Sequence, residues 1–340
     1  MADNMIHNCS PFIPPSAAIK LITEALENRR YSEGKYSKLF AAKLAEISEV
    51  EYCVLTTSGT TALTLSLMAL SLPYKSRVGV SDYTMVASAH AIELAGLEPA
   101  FVDIDYDTLL MSYDYRETFQ AVVAIHFNSN LVDIDKLAAS YRMSKDDIIE
   151  DAACCVGMKG LCKGKAACLS FSAPKMITTG QGGAVLTNDR AFATEVRKLK
   201  DHGRTAHNST DFGRGFNFKF NDISACLGIS QLNSYHMILN SRRRIFNEYK
   251  KNGIVLRKSE LPWLNLIEVE DAQKYSVEFS NCGIEALSLY PPLHTIYKQT
   301  GDFERADKAH KHILALPHGN MLSSLEIQFI SQTFFSIKKI

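Results

Sequence analysis

Through its first two-thirds the chain alternates short apolar runs with segments of helical periodicity, and that alternation limits the architectures open to it. Arg77-Val78-Gly79-Val80, Pro99 to Ile104, Ala121 to His126 and Ile148 to Asp151 read as short buried strands. Ser16 to Asn28, Gly59 to Leu72 and Ile134 to Tyr141 read as helices, and so does Val86 to Gly96, which its glycine ends. Strands without a polar face are covered on both sides, so the pattern predicts an α/β fold with a mainly parallel sheet between helical layers. Cys168 to Ser172 and Gly183 to Thr187 look like two further strands around a loop. After Asn221 the pattern changes, and Asp222 to Tyr249 reads as nearly continuous helix. The expected organisation is a large domain over residues 1–235 and a small C-terminal α/β domain over 236–340, a division the length of 340 residues allows.

Charge and composition narrow the functional classes. Lys plus Arg and Asp plus Glu are both 37, so no basic footprint for nucleic acid exists, and Arg242-Arg243-Arg244 reads as a solvated helix face. No apolar run is long enough to cross a bilayer, and Met1-Ala2-Asp3-Asn4-Met5 lacks the regions of a signal peptide, so a cytoplasmic location is expected. The eight cysteines mostly sit among apolar or small residues, as reduced cysteines do. Cys154, Cys155, Cys162 and Cys168 cluster, but without paired C-x₂-C spacing or a histidine, so no metal site is expected.

Four motifs carry chemistry. Thr57-Ser58-Gly59-Thr60-Thr61-Ala62-Leu63 puts small and hydroxyl residues ahead of an apolar helix. Its unpaired backbone N–H groups suit an anion, although an ordinary N-cap has the same look. Ile148-Ile149-Glu150-Asp151-Ala152-Ala153 ends a buried strand with a carboxylate, where open α/β sheets gather catalytic groups; a helix cap is the plainer reading. Ser170-Phe171-Ser172-Ala173-Pro174-Lys175-Met176 sets a lone lysine in a hydroxyl-rich loop, with Gly180 to Gly183 following, between two apolar strands. Partial burial makes such an amine readier to lose its proton and form an imine, whereas a surface lysine is the commoner fate. Gly215-Phe216-Asn217-Phe218-Lys219-Phe220-Asn221-Asp222 alternates aromatic and polar residues before a helix that Asn221 or Asp222 can cap.

In this order the motifs resemble the DegT/DnrJ/EryC1/StrS family of sugar aminotransferases that depend on pyridoxal 5′-phosphate (PLP). The likeness runs from about residue 12 to the C-terminus. It includes Tyr83-Thr84-Met85-Val86-Ala87-Ser88, Ala95 to Asp105, Gly228 to Leu232, Tyr290-Pro291-Pro292-Leu293-His294 and Leu316-Pro317-His318. The resemblance implies an aspartate aminotransferase-like fold of type I, with a large mixed or parallel sheet domain and a small C-terminal domain. It also implies a homodimer whose active sites are shared. By position, Lys175 would carry PLP covalently and Asp151 would pair with its ring nitrogen. Gly59, Thr60 and Ser170 would hold the phosphate, Asn217 would reach the phosphate of the neighbouring subunit, and Met85 and Cys154 would lie beside the ring. Tyr290, His294 and Ser32, within Tyr31-Ser32-Glu33-Gly34, would face the sugar. The implied reaction moves an amine from L-glutamate to a nucleotide-linked keto-deoxy sugar, for an amino sugar of a surface polysaccharide or a glycosylated product. The alternatives are another PLP reaction on the same scaffold, or a PLP-binding regulatory protein.

Five positions depart from the family pattern. Met85 stands where an aromatic residue usually stacks, and Cys154 where glutamine or histidine is usual. Asn128-Ser129 replaces an aromatic-glycine pair, and Lys219 replaces arginine. The loops around Ser112 to Gln120 and Glu260 to Cys282 look shortened.

Overall fold

Each strand of the central sheet is built from residues that gain by leaving water: Ala121–Ile125 and Ala166–Ser170 are buried along their whole length. The computed structural model describes residues 5–29, 31–114, 117–206, 209–210 and 212–338. The chain opens with α1 (Pro15–Glu27), α2 (Lys35–Ile47), β1 (Tyr52–Thr56), α3 (Gly59–Ala69), β2 (Arg77–Ser81), α4 (Ala87–Leu94) and β3 (Glu98–Val102). It continues through β4 (Ala121–Ile125), α5 (Ile134–Tyr141), β5 (Ile148–Asp151), β6 (Ala166–Ser170), β7 (Gly183–Thr187) and α6 (Arg190–Lys200). Two helices, α7 (Asp222–Leu232) and α8 (Tyr235–Lys251), lead to β8 (Asn265–Glu268), α9 (Ala272–Asn281), β9 (Leu287–Ser288), α10 (Leu293–Tyr297), α11 (Glu304–His312), β10 (Ile313–Leu316) and α12 (Ser324–Ile337).

The large sheet has the order β1-β7-β6-β5-β4-β2-β3. The pairings from β3 through β2, β4 and β5 to β6 are parallel, while β7 runs antiparallel to both β6 and β1. The sheet is therefore mixed, its antiparallel part made because β6 returns into β7 through the loop that carries Lys175. Chain order reverses across β2, with β3 on one side and β4 on the other. Such a reversal opens a crevice beyond the carboxyl ends of the strands, where Asp82, Asp151 and Ser170 sit. A second, antiparallel sheet has the order β8-β10-β9. Its core gathers Tyr249, Ile267, Phe279, Leu314, Ile330 and Phe334.

Several elements differ from the sequence pattern. The helix read across Asp222 to Tyr249 is two helices, broken at Asn233 and Ser234. Residues of those types hydrogen-bond to nearby backbone and weaken a helix interior. Asn221 caps α7, accepting from the Ser224 amide at 2.8 Å. Asp222 serves a different helix: its buried carboxylate accepts from Gly34 N (2.9 Å), Tyr36 N (3.1 Å), Ser37 N (3.2 Å) and Ser37 Oγ (2.5 Å) at the start of α2. The stretch read as a shortened loop from Glu260 to Cys282 contains β8 and α9.

The reading of Arg242-Arg243-Arg244 as a solvated face needs correction. Arg243 and Arg244 are exposed, but Arg242 is 1% exposed and points inward. Its Nη1 donates to the carbonyls of Trp263 and His318, which ties α8 to the segments flanking β8 and β10. A buried guanidinium held through one nitrogen by main-chain carbonyls leaves no hydropathy signal, because its sequence neighbours are equally basic.

Candidate active site

Strand β5 delivers two carboxylates to opposite faces, as alternation requires. Glu150 turns into the protein and lies 2.9 Å from His126 Nε2, and it accepts from the Cys162 and Gly164 amides. Asp151 turns toward the crevice, where Ser88 Oγ donates to Oδ2 at 2.8 Å and the Ala153 amide to Oδ1 at 3.1 Å. It is 9% exposed, and among the described residues it has no cation within ion-pair distance. A carboxylate taken out of water without a counter-charge is costly. The donor set therefore suits a ligand that brings a protonated nitrogen.

The loop between β6 and β7 carries Lys175. Met176 and Ile177 are buried behind it, and Gln231 of α7 grips Thr178 twice, accepting from its amide at 3.0 Å and donating to its carbonyl at 2.6 Å. With its base fixed, the half-buried Lys175 directs Nζ to within 3.7 Å of Cys154 Sγ. Cys154 follows Asp151 by three residues, so amine and carboxylate share one wall. Burial pushes the Cys154 thiol up to about 11, against the pull of Lys175, so it stands there as a neutral group. Tyr290 feels both Cys154 and Asp151, and burial raises its phenol. Its ring meets Phe127 edge-on at 6.5 Å.

An anion cradle closes the other end. Ser58 caps α3, taking the Thr61 amide at its Oγ and the Ala62 amide at its carbonyl. The amides of Gly59 and Thr60 lie ahead of these at the open end of the helix, where a phosphate is favoured. An ideal Cβ on Gly59 would stand 2.8 Å from Ser170 Cβ, so glycine lets the helix end close on Ser170 at the tip of β6. An anion site, an uncompensated carboxylate and an amine thus face one crevice, and this set fits a phosphate-bearing pyridine that also offers an aldehyde.

The other residues named from sequence are placed as follows. Met85 precedes α4 and is 50% exposed. Asn217 is exposed on a segment bridged to Asp201, and Lys219 Nζ is held by Asp201 at 2.7 Å. Ser32 is exposed and pairs with Asn221 as an isolated bridge. His294 has partners of its own: Nδ1 lies 2.7 Å from Asp82 Oδ2, Nε2 lies 3.6 Å from Asp307, and the ring stacks on Phe303 at 4.6 Å. The structure thus brings Lys175, Asp151, Cys154 and Tyr290 together and commits His294 to a carboxylate pair. Sequence reasoning missed Ser88 as a partner of Asp151, and it missed Trp263. The Trp263 ring centroid lies 3.9 Å from Lys175 Nζ, and Nε1 donates to the Pro174 carbonyl at 3.1 Å. Nothing local marks either residue.

Comparison with known proteins shows the family and the fold. The model of the DegT/DnrJ/EryC1/StrS aminotransferase family matches residues 15–335. The chain is 32% identical over 232 residues to the GDP-perosamine synthase of Escherichia coli O157:H7; the match covers 65% of this chain and 64% of that protein, just under two-thirds of its length. It is 26% identical over 327 residues to the GDP-perosamine synthase of Caulobacter vibrioides, covering 87% and 88% of the two. Among solved structures, Spr1654 of Streptococcus pneumoniae in its PLP form superposes with a TM-score of 0.90 at 23% identity, covering 98% of this chain and 99% of that one. The shared architecture is the aspartate aminotransferase-like α/β fold of type I.

Proposed function

The chain belongs to the DegT/DnrJ/EryC1/StrS aminotransferase family, and from that premise we propose that it moves an amino group from L-glutamate to a nucleotide-linked keto-deoxy sugar, using PLP. The product is an amino sugar for a surface polysaccharide or another glycosylated compound. Two relatives named GDP-perosamine synthase support the nucleotide-sugar class. One observation carries the chemistry: the buried Asp151, with no cation in ion-pair reach among the described residues, shares a wall with the Lys175 amine.

PLP supplies a protonated conjugated ring that takes up the charge left when a proton departs from the carbon bearing the amine. The protein's own groups supply the rest. Asp151, oriented by Ser88 and Ala153, holds the proton on the ring nitrogen by its negative charge. The first amides of α3, with Ser170 behind Gly59, hold the phosphate. Lys175 takes a proton at Nζ and returns it, as base and then acid, from a loop that Gln231 keeps in place. Fixed geometry at both ends lets one amine serve both proton positions.

The exposed Asn217 supports a homodimer in which it reaches the partner's phosphate site. The break at Asn233 and Ser234 supports a domain boundary near residue 235. The test is spectroscopic and then chemical. Purified protein with PLP should show the visible band of cofactor joined to Lys175, absent in Lys175→Ala, and should move label from ¹⁵N-glutamate to a nucleotide-linked keto-sugar. A band without any amine transfer would favour the regulatory reading instead.

A further inference from the structure

Lys175 is gripped from an unexpected direction. Trp263 is the chain's single tryptophan, 5% exposed, and it lies 89 residues from the lysine loop. It makes two contacts there, a hydrogen bond from Nε1 to the carbonyl just before Lys175 and a ring face 3.9 Å from the ammonium. Its backbone is held at its own carbonyl and at the next residue. Arg242 Nη1 donates to the Trp263 carbonyl at 3.3 Å, and the Asn128 carboxamide bonds Leu264 twice, accepting from its amide at 2.8 Å and donating to its carbonyl at 3.3 Å. Cys9 Sγ adds a second donor to the Pro174 carbonyl at 3.5 Å.

The neighbours of Lys175 offer its charge little else. Cys154 is a buried thiol, a weak acceptor, and Asp151 is outside ion-pair distance. Further titratable groups around it are Cys9, Cys155, Arg242 and His318. Arg242 repels a second cation, and His318 is kept neutral by burial and by the charges of Arg242 and Lys175. The indole face is thus the main attraction for the free ammonium.

We propose that Trp263 is a positioning residue that receives the free Lys175 ammonium, and so sets how readily an incoming amine displaces the lysine from its cofactor. The inference rests on Lys175 carrying PLP. The contact exists only while the lysine is free, so it stabilises the displaced state and has no counterpart in the joined one. The Nε1 bond to Pro174 fixes the loop in both states.

Two measurements test it. In cofactor-free protein carrying ¹³Cε-lysine, one ε-methylene signal should be moved upfield by the indole ring current. That signal should vanish in Lys175→Ala, return to the ordinary lysine position in Trp263→Leu and stay displaced in Trp263→Phe. In protein loaded with PLP, methylamine should displace the lysine, followed by absorbance. The midpoint concentration should rise about three- to tenfold in Trp263→Leu, the scale of a partly desolvated cation–π contact, and Trp263→Phe should recover most of it. Leucine keeps the wall apolar but removes both the π face and the Nε1 bond to Pro174; phenylalanine lacks that bond too, so the difference between the two variants isolates the π face. If Trp263→Leu does not fold, the wild-type resonance and Trp263→Phe still decide. No displaced lysine signal in the wild type, or an unchanged midpoint in a folded Trp263→Leu, overturns the proposal. Absence of any lysine-joined band in the wild type would instead count against the PLP reading, and the resonance would still report the contact.

Discussion

Gly59→Ala probes the anion cradle with one methyl group. The new Cβ would stand 2.8 Å from Ser170 Cβ and 3.2 Å from Ser170 Oγ. Ser170 ends β6, which is hydrogen-bonded to β5 and β7 on its two sides, so the strand has little room to retreat. The start of α3 must shift instead, and it carries the Gly59 and Thr60 amides with it. Overpacking of this kind costs about 1–3 kcal/mol. Alanine regains up to about 1 kcal/mol from helix propensity, so the cofactor-free fold should lose little. Binding has no such offset, because the displaced amides are the ones facing the phosphate. PLP should therefore bind about 5- to 150-fold more weakly, read by absorbance titration beside a melting curve of the cofactor-free protein. Ser170→Gly in the Gly59→Ala background removes the atom the methyl group meets, and a double-mutant cycle should return a coupling above about 0.5 kcal/mol. A well-folded Gly59→Ala protein with wild-type PLP affinity would show that the phosphate is held elsewhere.

Asp151→Asn keeps the shape and can keep both hydrogen bonds, since its amide can donate to Ser88 Oγ while its oxygen accepts from Ala153. PLP should stay bound while transfer falls roughly a thousandfold, the equivalent of about 4 kcal/mol for a unit charge pair at an effective dielectric near 20; full activity in steady-state assays would refute the ring-nitrogen role. Asp222→Ala leaves four donors of the α2 start without their acceptor and should cost about 3 kcal/mol, lowering the urea midpoint at unchanged slope. A loss under about 1 kcal/mol would mean that water replaces the carboxylate. Mixing inactive Lys175→Ala and Asn217→Ala homodimers should recover activity in one of two sites if Asn217 serves the partner's phosphate, and no recovery on subunit exchange would argue against a shared site.

What was legible in the sequence is what is local. Strand β5 and helix α5 span the residues their apolar pattern predicted, because each buries its own face. The family and the fold class were legible for a related reason: Asp151 ends a strand, Gly59 starts a helix and Lys175 lies in the loop after β6, each within a short motif in a set order. Up to residue 235, three elements were missed. Strand β1 opens with the half-buried Tyr52 and Cys53 and pairs antiparallel with β7, far along the chain, so it lacked the apolar framing that marked the other strands. Helices α2 and α6 pack on the sheet through a few residues each, Phe40 and Leu44 in one and Phe192 and Val196 in the other, amid many lysines and arginines. Arg242 was misread because three adjacent arginines look alike until the fold turns one of them inward. Trp263 stayed hidden because its partners are Pro174 and Lys175 in the large sheet's loop, a relation no window of sequence contains.

The departures from the family pattern make more sense as a set than one by one. Cys154 withdraws a strong hydrogen-bonding side chain from beside the lysine and leaves a neutral thiol 3.7 Å from Nζ. Asn128, where an aromatic residue is usual, adopts a left-handed backbone, which asparagine tolerates better than most residues, and spends its carboxamide on both backbone groups of Leu264. Leu264 follows Trp263, so the second change steadies the ring that faces the amine left poorly served by the first. Lys219 gives up the planar fork of arginine and is held by Asp201, which also pairs with Arg204 and is bridged to Asn217. In these three cases, though not for the half-exposed Met85, the substituted side chain meets a partner within the same chain, and the partners converge on the lysine or on the segment bearing Asn217. In this chain Lys175 is thus supported from a platform at the edge of the small sheet. A substitution there should therefore act through Lys175 even though it touches neither Asp151 nor the anion cradle.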